Sequence, residues 1–313
     1  MTESIYKFLN ISEFAEAFGT SEEEVAHFCG ELIKTLDFKY KIYSQQERED
    51  IILDILKKCE NKEFSVSGSH RKNDWRKGWA EILQQFQDSN GELQVLIPKD
   101  IRGDRPLRYK GDYISADSNT FEYDFRLVFK YWLFKKYFKK YTSIYEFGCG
   151  TGQNLVCLAT MFPNVKLFGM DWVDESQKII QAVSRKYEWD IKGFHFDISD
   201  PDDDLEMEPN SLAYTSGALE QLGANHKEFI NYLLAKKPGL CVNFEPIVEY
   251  YNTDCLFDYV AIKYHRARNY LDGYLTYLRE LERENIIKII ASKRLGFGSL
   301  YHEGYSYIIW KIS

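Results

Sequence analysis

The 313-residue sequence has no uninterrupted apolar run of ~18 residues, so no membrane-spanning helix is expected. Its first segment, MTESIYKFLNISEF, has no basic stretch followed by an apolar one and does not resemble an export signal. Six cysteines, at positions 29, 59, 149, 157, 241 and 255, form neither a CxxC pair nor a His–Cys cluster at zinc spacing. No metal site is expected, and reduced thiols in the cytoplasm are the simplest reading. Basic charge is short as well: 40 Lys and Arg against 48 Asp and Glu leave a net charge of −8 and a pI near 5.4. Duplex binding draws most of its affinity from phosphate contacts, so DNA is not an expected partner. Internal repeats and low-complexity tracts are also missing.

What is plentiful is aromatic surface. The 23 Tyr, 21 Phe and 6 Trp make up 16% of the chain. Tyr carries a polar tip on a flat apolar body, which suits a lined pocket or an interface.

Along the chain, the texture up to about residue 95 is helical and acidic. Ser12 precedes EFAEAF, and Ser21 heads EEEVAHFCGELIKTL with Glu24 three positions on, as a capping box requires. REDIILDILKKC and WRKGWAEILQQFQ have amphipathic spacing. Residues 96–120, with Pro98 and Pro106 among charges, read as an irregular connector, and FEYDFRLVFKYWLFKKYFKKY reads as a further helix. From Thr142 short apolar runs (SIYEFG, KLFGM, GFHFDI, SLAYTSG, LCVNFE) alternate with helical segments, which implies βαβ units. IIKIIAS and GYSYIIWKI close the chain as two strands able to pair as an antiparallel edge. The expected architecture is α/β: a Rossmann-like, mainly parallel seven-stranded sheet with helices on both faces. Residues 1–120 would form a mostly helical cap or oligomerisation region, a homodimer being compatible with it. Residues 121–313 would form the main domain, with a Tyr-rich helical insertion at about 247–286.

One segment carries the chemistry: Ile144-Tyr-Glu-Phe-Gly-Cys-Gly-Thr-Gly-Gln-Asn154. A strand ends at Phe147, glycines follow at 148, 150 and 152, and a helix begins near Gln153. Such glycines allow a tight turn and close approach of a ligand to the backbone, and the amides at the helix start favour a polar or anionic group. The spacing is G-x-G-x-G behind an acid, Glu146, and not the G-x-G-x-x-G of dinucleotide sites. Asp171 ends the next strand, where two carboxylate oxygens can accept ribose hydroxyls. Asp197 ends the third, placed to receive an adenine amino group.

Together these residues resemble class I S-adenosylmethionine-dependent methyltransferases over roughly residues 142–245. The resemblance implies that Glu146, Gly148, Cys149, Gly150, Gly152 and Asn154 surround the methionine part of the cofactor. It also implies that Asp171 holds the ribose, that Trp172 packs on adenine, and that Asp197 with Ile198 reads the base edge. Thr215-Ser216-Gly217, with Ser216 as the binding residue, would sit beneath the sulfonium. S-adenosylhomocysteine would be the product. Polyamine synthases use a related motif, but their acidic amine-binding pattern has no counterpart here.

Methyl transfer needs an in-line nucleophile with water excluded, and often a proton acceptor beside it. By position, His226, Glu245 and His265 are the candidate catalytic residues. His226 reads equally as a histidine at a helix terminus. Arg105 and Arg108 would suit an acidic or phosphorylated acceptor. Tyr250, Tyr251, Tyr259, Tyr264, Tyr270 and Tyr274, the connector around Tyr109 and Tyr113, and the loop RLGFGS (294–299) could wall the acceptor pocket.

The expected acceptor is a small molecule: a sugar, a sugar-nucleotide or a natural product. The Asn/Asp-Pro-Pro-aromatic segment of base-nitrogen methylation is replaced by Thr-Ser-Gly-Ala, and no Pro-Cys dipeptide exists for base-carbon methylation. Lys130, Lys135, Lys136, Lys139 and Lys140, interleaved with aromatics, leave an RNA-directed enzyme or a membrane-surface contact as a rival. A non-catalytic module that retains S-adenosylmethionine or nucleoside binding is the other.

Overall fold

The computed structural model describes residues 6–313. In chain order it contains β1 (Lys7–Phe8), α1 (Ile11–Phe18), α2 (Glu22–Thr35), β2 (Lys39–Ile42), α3 (Gln45–Glu60), α4 (Lys72–Asp88), β3 (Leu107–Tyr109), β4 (Asp112–Ala116) and α5 (Phe121–Tyr137). Then come β5 (Ser143–Phe147), α6 (Gln153–Met161), β6 (Lys166–Asp171), α7 (Asp174–Tyr187), β7 (Ile191–His195), β8 (Ser211–Ser216), α8 (Lys227–Lys236) and β9 (Leu240–Glu245). The remainder is α9 (Leu256–Arg268), α10 (Tyr274–Arg283), β10 (Ile287–Arg294), β11 (Phe297–Gly298) and β12 (Ser306–Ile312).

A seven-stranded sheet runs β10-β12-β9-β8-β5-β6-β7. Strands β5 to β9 pair in parallel, while β12 pairs antiparallel with both β9 and β10. GYSYIIWKI is therefore an inner strand, which explains why Ile308, Ile309 and Trp310 are all fully buried, and β10 forms the edge. Side chains alternate across β5: Ile144 joins the core under α5, α6 and α7, while Tyr145 and Phe147 join the core under α8 and α10. That alternation, with helices on both faces, is the Rossmann-like arrangement.

The helix starts follow from their caps. Asn10 caps α1 with Glu13 as the reciprocal partner, so the cap lies two residues before the expected Ser12. Ser21 accepts from the Glu24 backbone at 3.2 Å, but the Glu24 carboxylate turns away to the Trp132 indole N–H and the Lys136 ammonium.

The first 120 residues are not purely helical. The segment expected as an irregular connector forms the hairpin β3–β4, inside a second sheet of order β1-β2-β4-β3-β11. Its last strand comes from near the carboxyl end of the chain, so this sheet crosses the boundary drawn at residue 120. Phe297 of β11 is fully buried and stacks on Phe125 of α5 at 4.0 Å between centroids. The α5 helix itself is a core element. Phe125, Phe129, Trp132, Leu133 and Phe134 are buried, Lys136 pairs with Glu24, and Lys135 donates to the Phe28 carbonyl. Of the five lysines behind an RNA or membrane-surface reading, Lys130 is buried and Lys135 and Lys136 have partners within the fold, while Lys139 and Lys140 are exposed just after the helix.

Phe297→Ala removes the ring that packs the second sheet against α5. It should lower stability by about 3–5 kcal/mol in denaturant titration, with an unchanged slope. A loss under about 1 kcal/mol would show that the sheets do not depend on this packing.

Candidate functional site

Two adjoining cavities, of about 660 and 330 Å³, open at the carboxyl ends of the parallel strands. The strand order reverses between β5 and β8, and open α/β sheets hold ligands at such a point. Gly148, Gly150, Gly217, Gln221, Trp75 and Trp79 contribute to both walls.

The glycine loop is held from below and roofed from above. Gly148 has φ +73°, and a Cβ there would lie 2.3 Å from the Ala218 Cβ. Gly150 has φ +53°, and a Cβ there would lie 3.1 Å from Trp79 Cζ2. The N–H groups of Gly148 and Cys149 donate to the Met170 carbonyl at 2.8 and 3.0 Å. Gly150 N–H donates to Asp171 Oδ2 at 2.8 Å, and Val173 N–H donates to Asp171 Oδ1 at 3.1 Å. The Ser176 hydroxyl donates to the Gly150 carbonyl. Burial pushes the Asp171 carboxyl up to about 6, against the pull of these amides.

Glu146 lies behind the loop on the wall of the larger cavity, 1% exposed. Burial raises its pKa, and burial lowers that of nearby Lys130 on α5, while their opposite charges pull each back toward the ionised form. The Asn154 amide donates to Glu146 Oε1. Glu146 Oε2 and Asn154 Oδ1 are buried acceptors without a partner.

The expected cofactor residues thus divide between the chambers. Glu146, Gly148, Cys149, Gly150, Asn154 and Ser216 line the larger, and Gly148, Gly150, Asp171, Trp172, Asp197 and Ile198 line the smaller. Asp197 Oδ1 accepts from the Ser199 N–H and hydroxyl at 2.9 and 2.6 Å, which fixes the turn after β7. Gly152 lines neither chamber. It precedes α6 with φ +75°, and a Cβ there would lie 3.3 Å from Ile180 Cγ1, so its small size serves packing between α6 and α7.

The three residues picked as catalytic by position are not on a cavity wall. His226 caps α8 with its ring buried against Tyr274, and its Nε2 lies 3.0 Å from the Asp272 carbonyl. Glu245 is fully buried; its Oε1 accepts from Ala218 N–H at 3.1 Å, beneath the β8 loop, and burial pushes its pKa up to about 8. His265 is 2% exposed and bonds His302 at 2.8 Å, and it is His302 that reaches the larger cavity.

Arg105 lines the larger cavity, paired with Glu122. Arg108 does not: it is fully buried, donates to the Phe257 carbonyl at 2.7 Å and lies over the Phe257 ring. Of the six tyrosines proposed as walls, Tyr264 and Tyr270 line the cavity, while Tyr251 and Tyr274 bond inward to the Glu303 carbonyl and Asn243 Oδ1. Of the RLGFGS loop, Ser299 lines the wall. Sequence reasoning missed Arg71, Arg126, Arg268, Tyr301, Tyr305 and the stacked pair Trp75–Trp79. The four-residue spacing of the two tryptophans placed them on one helix face, but nothing in the sequence said which loop that face would cover.

No family model and no curated protein matches this chain. Solved structures do. A geranyl diphosphate methyltransferase in complex with S-adenosylmethionine is 12% identical, over 56% of this chain and 79% of its own, at TM-score 0.41. A SAM-dependent methyltransferase from Aquifex aeolicus is 12% identical, over 58% of this chain and 88% of its own, at TM-score 0.42. An N,N-8-amino-8-demethyl-D-riboflavin dimethyltransferase from Streptomyces davawensis is 11% identical, over 61% of this chain and 59% of its own, at TM-score 0.41.

Gly148→Ala sets a left-handed residue and a methyl group against Ala218. The variant should lose about 1–3 kcal/mol of stability in a denaturant melt. An unchanged midpoint would show that the loop is free to move.

Proposed function

We propose that this chain is a class I S-adenosylmethionine-dependent methyltransferase acting on a small-molecule acceptor. The observation that carries the reading is the pair of buried carboxylates on either side of the glycine loop, each with acceptor capacity left toward a cavity. Glu146 Oε2 and Asn154 Oδ1 have no partner among the described residues, and an ammonium group such as that of a methionine moiety would favour the ionised form of Glu146, which burial disfavours by pushing its pKa up to about 8. Asp171 accepts from the Gly150 and Val173 amides and lines the smaller chamber, where ribose hydroxyls can donate to it. Trp172, Ile198 and Leu222 supply the apolar surface for a purine there, with Asp197 at its edge.

S-adenosylmethionine, when bound, supplies an electrophilic methyl carbon on a sulfonium. The protein's part is to hold and to exclude. Trp75 and Trp79 of α4, with rings 5.5 Å apart, roof the loop and keep water from it, so residues before 120 act as a cap. Glu245 holds the Ala218 amide and with it the Gly217 turn that lines both chambers. The remainder of the larger chamber is of the size that encloses a small ligand, and its Tyr and Arg lining suits a sugar, a sugar-nucleotide or a natural product. Free cysteines throughout fit a reducing, cytoplasmic setting. Among the described residues, no helix is long and apolar enough to cross a membrane.

Calorimetric titration with S-adenosylmethionine and S-adenosylhomocysteine tests this directly. Micromolar binding, about −8 kcal/mol, is expected from the native chain, with a large loss in Asp171→Ala and in the isosteric Asp171→Asn. Absence of binding by well-folded protein would overturn the reading.

The pH dependence has a fixed sign. Hydroxyl donors favour the charged Asp171, so its pKa falls in the complex. Affinity should be full above about 6 and weaken as pH falls through that value. A flat profile between pH 5 and 8 would place the ribose elsewhere.

A further inference from the structure

The larger cavity also carries donors, and the Ser67 N–H, which donates to the Arg268 carbonyl at 2.7 Å, ties the turn that holds Arg71 to the end of α9. Arg268 closes α9, donates to the Tyr270 hydroxyl at 3.0 Å, and keeps a buried Nε without a partner. Arg71, in the turn before α4, lies over the Trp75 ring and has Asp74 3.5 Å from its Nε. Tyr264, Tyr270, Tyr301 and His302 complete this wall. Three acids share the chamber: Glu146 lies behind the glycine loop, Glu122 is paired with Arg105, and Glu220 interacts with Arg268.

The tautomer of His302 follows from its partner. His265 Nε2 and His302 Nδ1 are 2.8 Å apart, so one nitrogen donates and the other accepts. His265 Nδ1 is buried with no partner. If that nitrogen carried the proton it would be an orphaned buried donor, which native structures tolerate less readily than an orphaned acceptor. His265 is therefore protonated on Nε2 and donates to His302 Nδ1. His302 must then carry its own proton on Nε2, the nitrogen that would stand 3.0 Å from a Cβ at Gly304 on the same cavity wall. Burial and the Arg108 charge hold His265 down to about 3, and burial with the His265, Arg108 and Arg268 neighbours keeps His302 low as well, so both rings are neutral near pH 7. A neutral His302 fixed in this way is a hydrogen-bond donor toward the cavity and not a proton acceptor.

We propose that this wall is an oxyanion subsite, in which Arg268, Arg71 and the Nε2–H of His302 hold a carboxylate or phosphate group of the methyl acceptor. His265 acts as a positioning residue that sets the His302 tautomer. The proposal narrows the acceptor to anionic molecules and rests on the methyltransferase reading for its role, but the anion site can be tested separately.

The probes are inorganic phosphate, pyrophosphate and succinate, titrated at constant ionic strength in chloride against the native chain with and without S-adenosylhomocysteine. Thermal unfolding and calorimetry are the readouts. At least one probe should raise the melting temperature, and Arg268→Gln should weaken it about tenfold or more. Circular dichroism checks that this variant folds. His302→Phe should weaken binding, and His302→Gln, which keeps an N–H, should retain more of it. Phosphate probes acting alone would assign a phosphorylated acceptor, and succinate acting as well a carboxylate. No response from the native chain, or an equal response in folded Arg268→Gln, would overturn the subsite. Asp171→Ala separates the two readings. Anion binding that persists in that variant while S-adenosylhomocysteine binding is lost supports both. Anion binding in a native chain that never binds S-adenosylhomocysteine keeps the subsite and removes the methyltransferase.

Discussion

Asp171 keeps its carboxylate in a nearly dry setting at the end of β6, and the position of the glycine loop depends on it. The amides of Gly150 and Val173 converge on its two oxygens, so the turn that follows β5 is tied to the turn that follows β6. Keeping this group charged at neutral pH is unfavourable by about 3 kcal/mol, judged from a pKa near 6 against an ordinary 3.8. The sign is opposite to that of a salt-bridged acid: protonation below about 6 relieves the native state. A position that lowers stability in its charged form is intelligible if the charge is needed by something that enters the cavity.

The loop is also constrained from the opposite side. Trp79 stands close enough to Gly150 to forbid a side chain there, and the Thr151 hydroxyl donates to the Leu96 carbonyl at 2.7 Å. The amino-terminal region is thereby bonded into the site that it covers. The shared sheet does the same at the other end: β11 pairs with β3, and Arg294, just before it, is clamped between Asp258 of α9 and Glu303. Residues 297–305, which bring His302 and Tyr301 to the cavity, are held by both the second sheet and the α9 ion pairs. The cap and the main sheet form one packed unit, in which the acceptor side of the cavity is built from segments far apart in sequence.

That distribution explains what could be read in advance. The parallel strands, the glycine loop and the acids at strand ends were legible because each depends on local chemistry: a positive φ, a strand terminus, an apolar run. Asp171 and Glu146 could be named for that reason, and each lines a cavity. The hairpin β3–β4 was missed because its short strands are set by pairing with β2 and β11, which no local pattern reveals. His226, Glu245 and His265 were chosen by position after strands four and five. Position alone could not show that His226 turns to the Asp272 carbonyl, that Glu245 is taken by the Ala218 amide, or that His265 sits one residue behind the wall. Arg105 and Arg108 are three positions apart, yet one reaches the cavity and the other is buried over Phe257, a choice made by tertiary packing.

The larger cavity presents unpartnered buried acceptors and donors together, and they order what can bind where. At the loop end the unpartnered groups are acceptors, Glu146 Oε2 and Asn154 Oδ1, which call for a donor such as an ammonium. Elsewhere on its wall the groups without a hydrogen-bond partner include donors, the Nε of Arg268 and of Arg71, and His302 has its tautomer set to donate. A ligand with cationic and anionic ends reversed would leave buried groups unpaired at both ends, and each such mismatch costs about 1–3 kcal/mol. Discrimination between the chambers therefore comes from which polar atoms the fold leaves unsatisfied, and not from the shape of a single pocket.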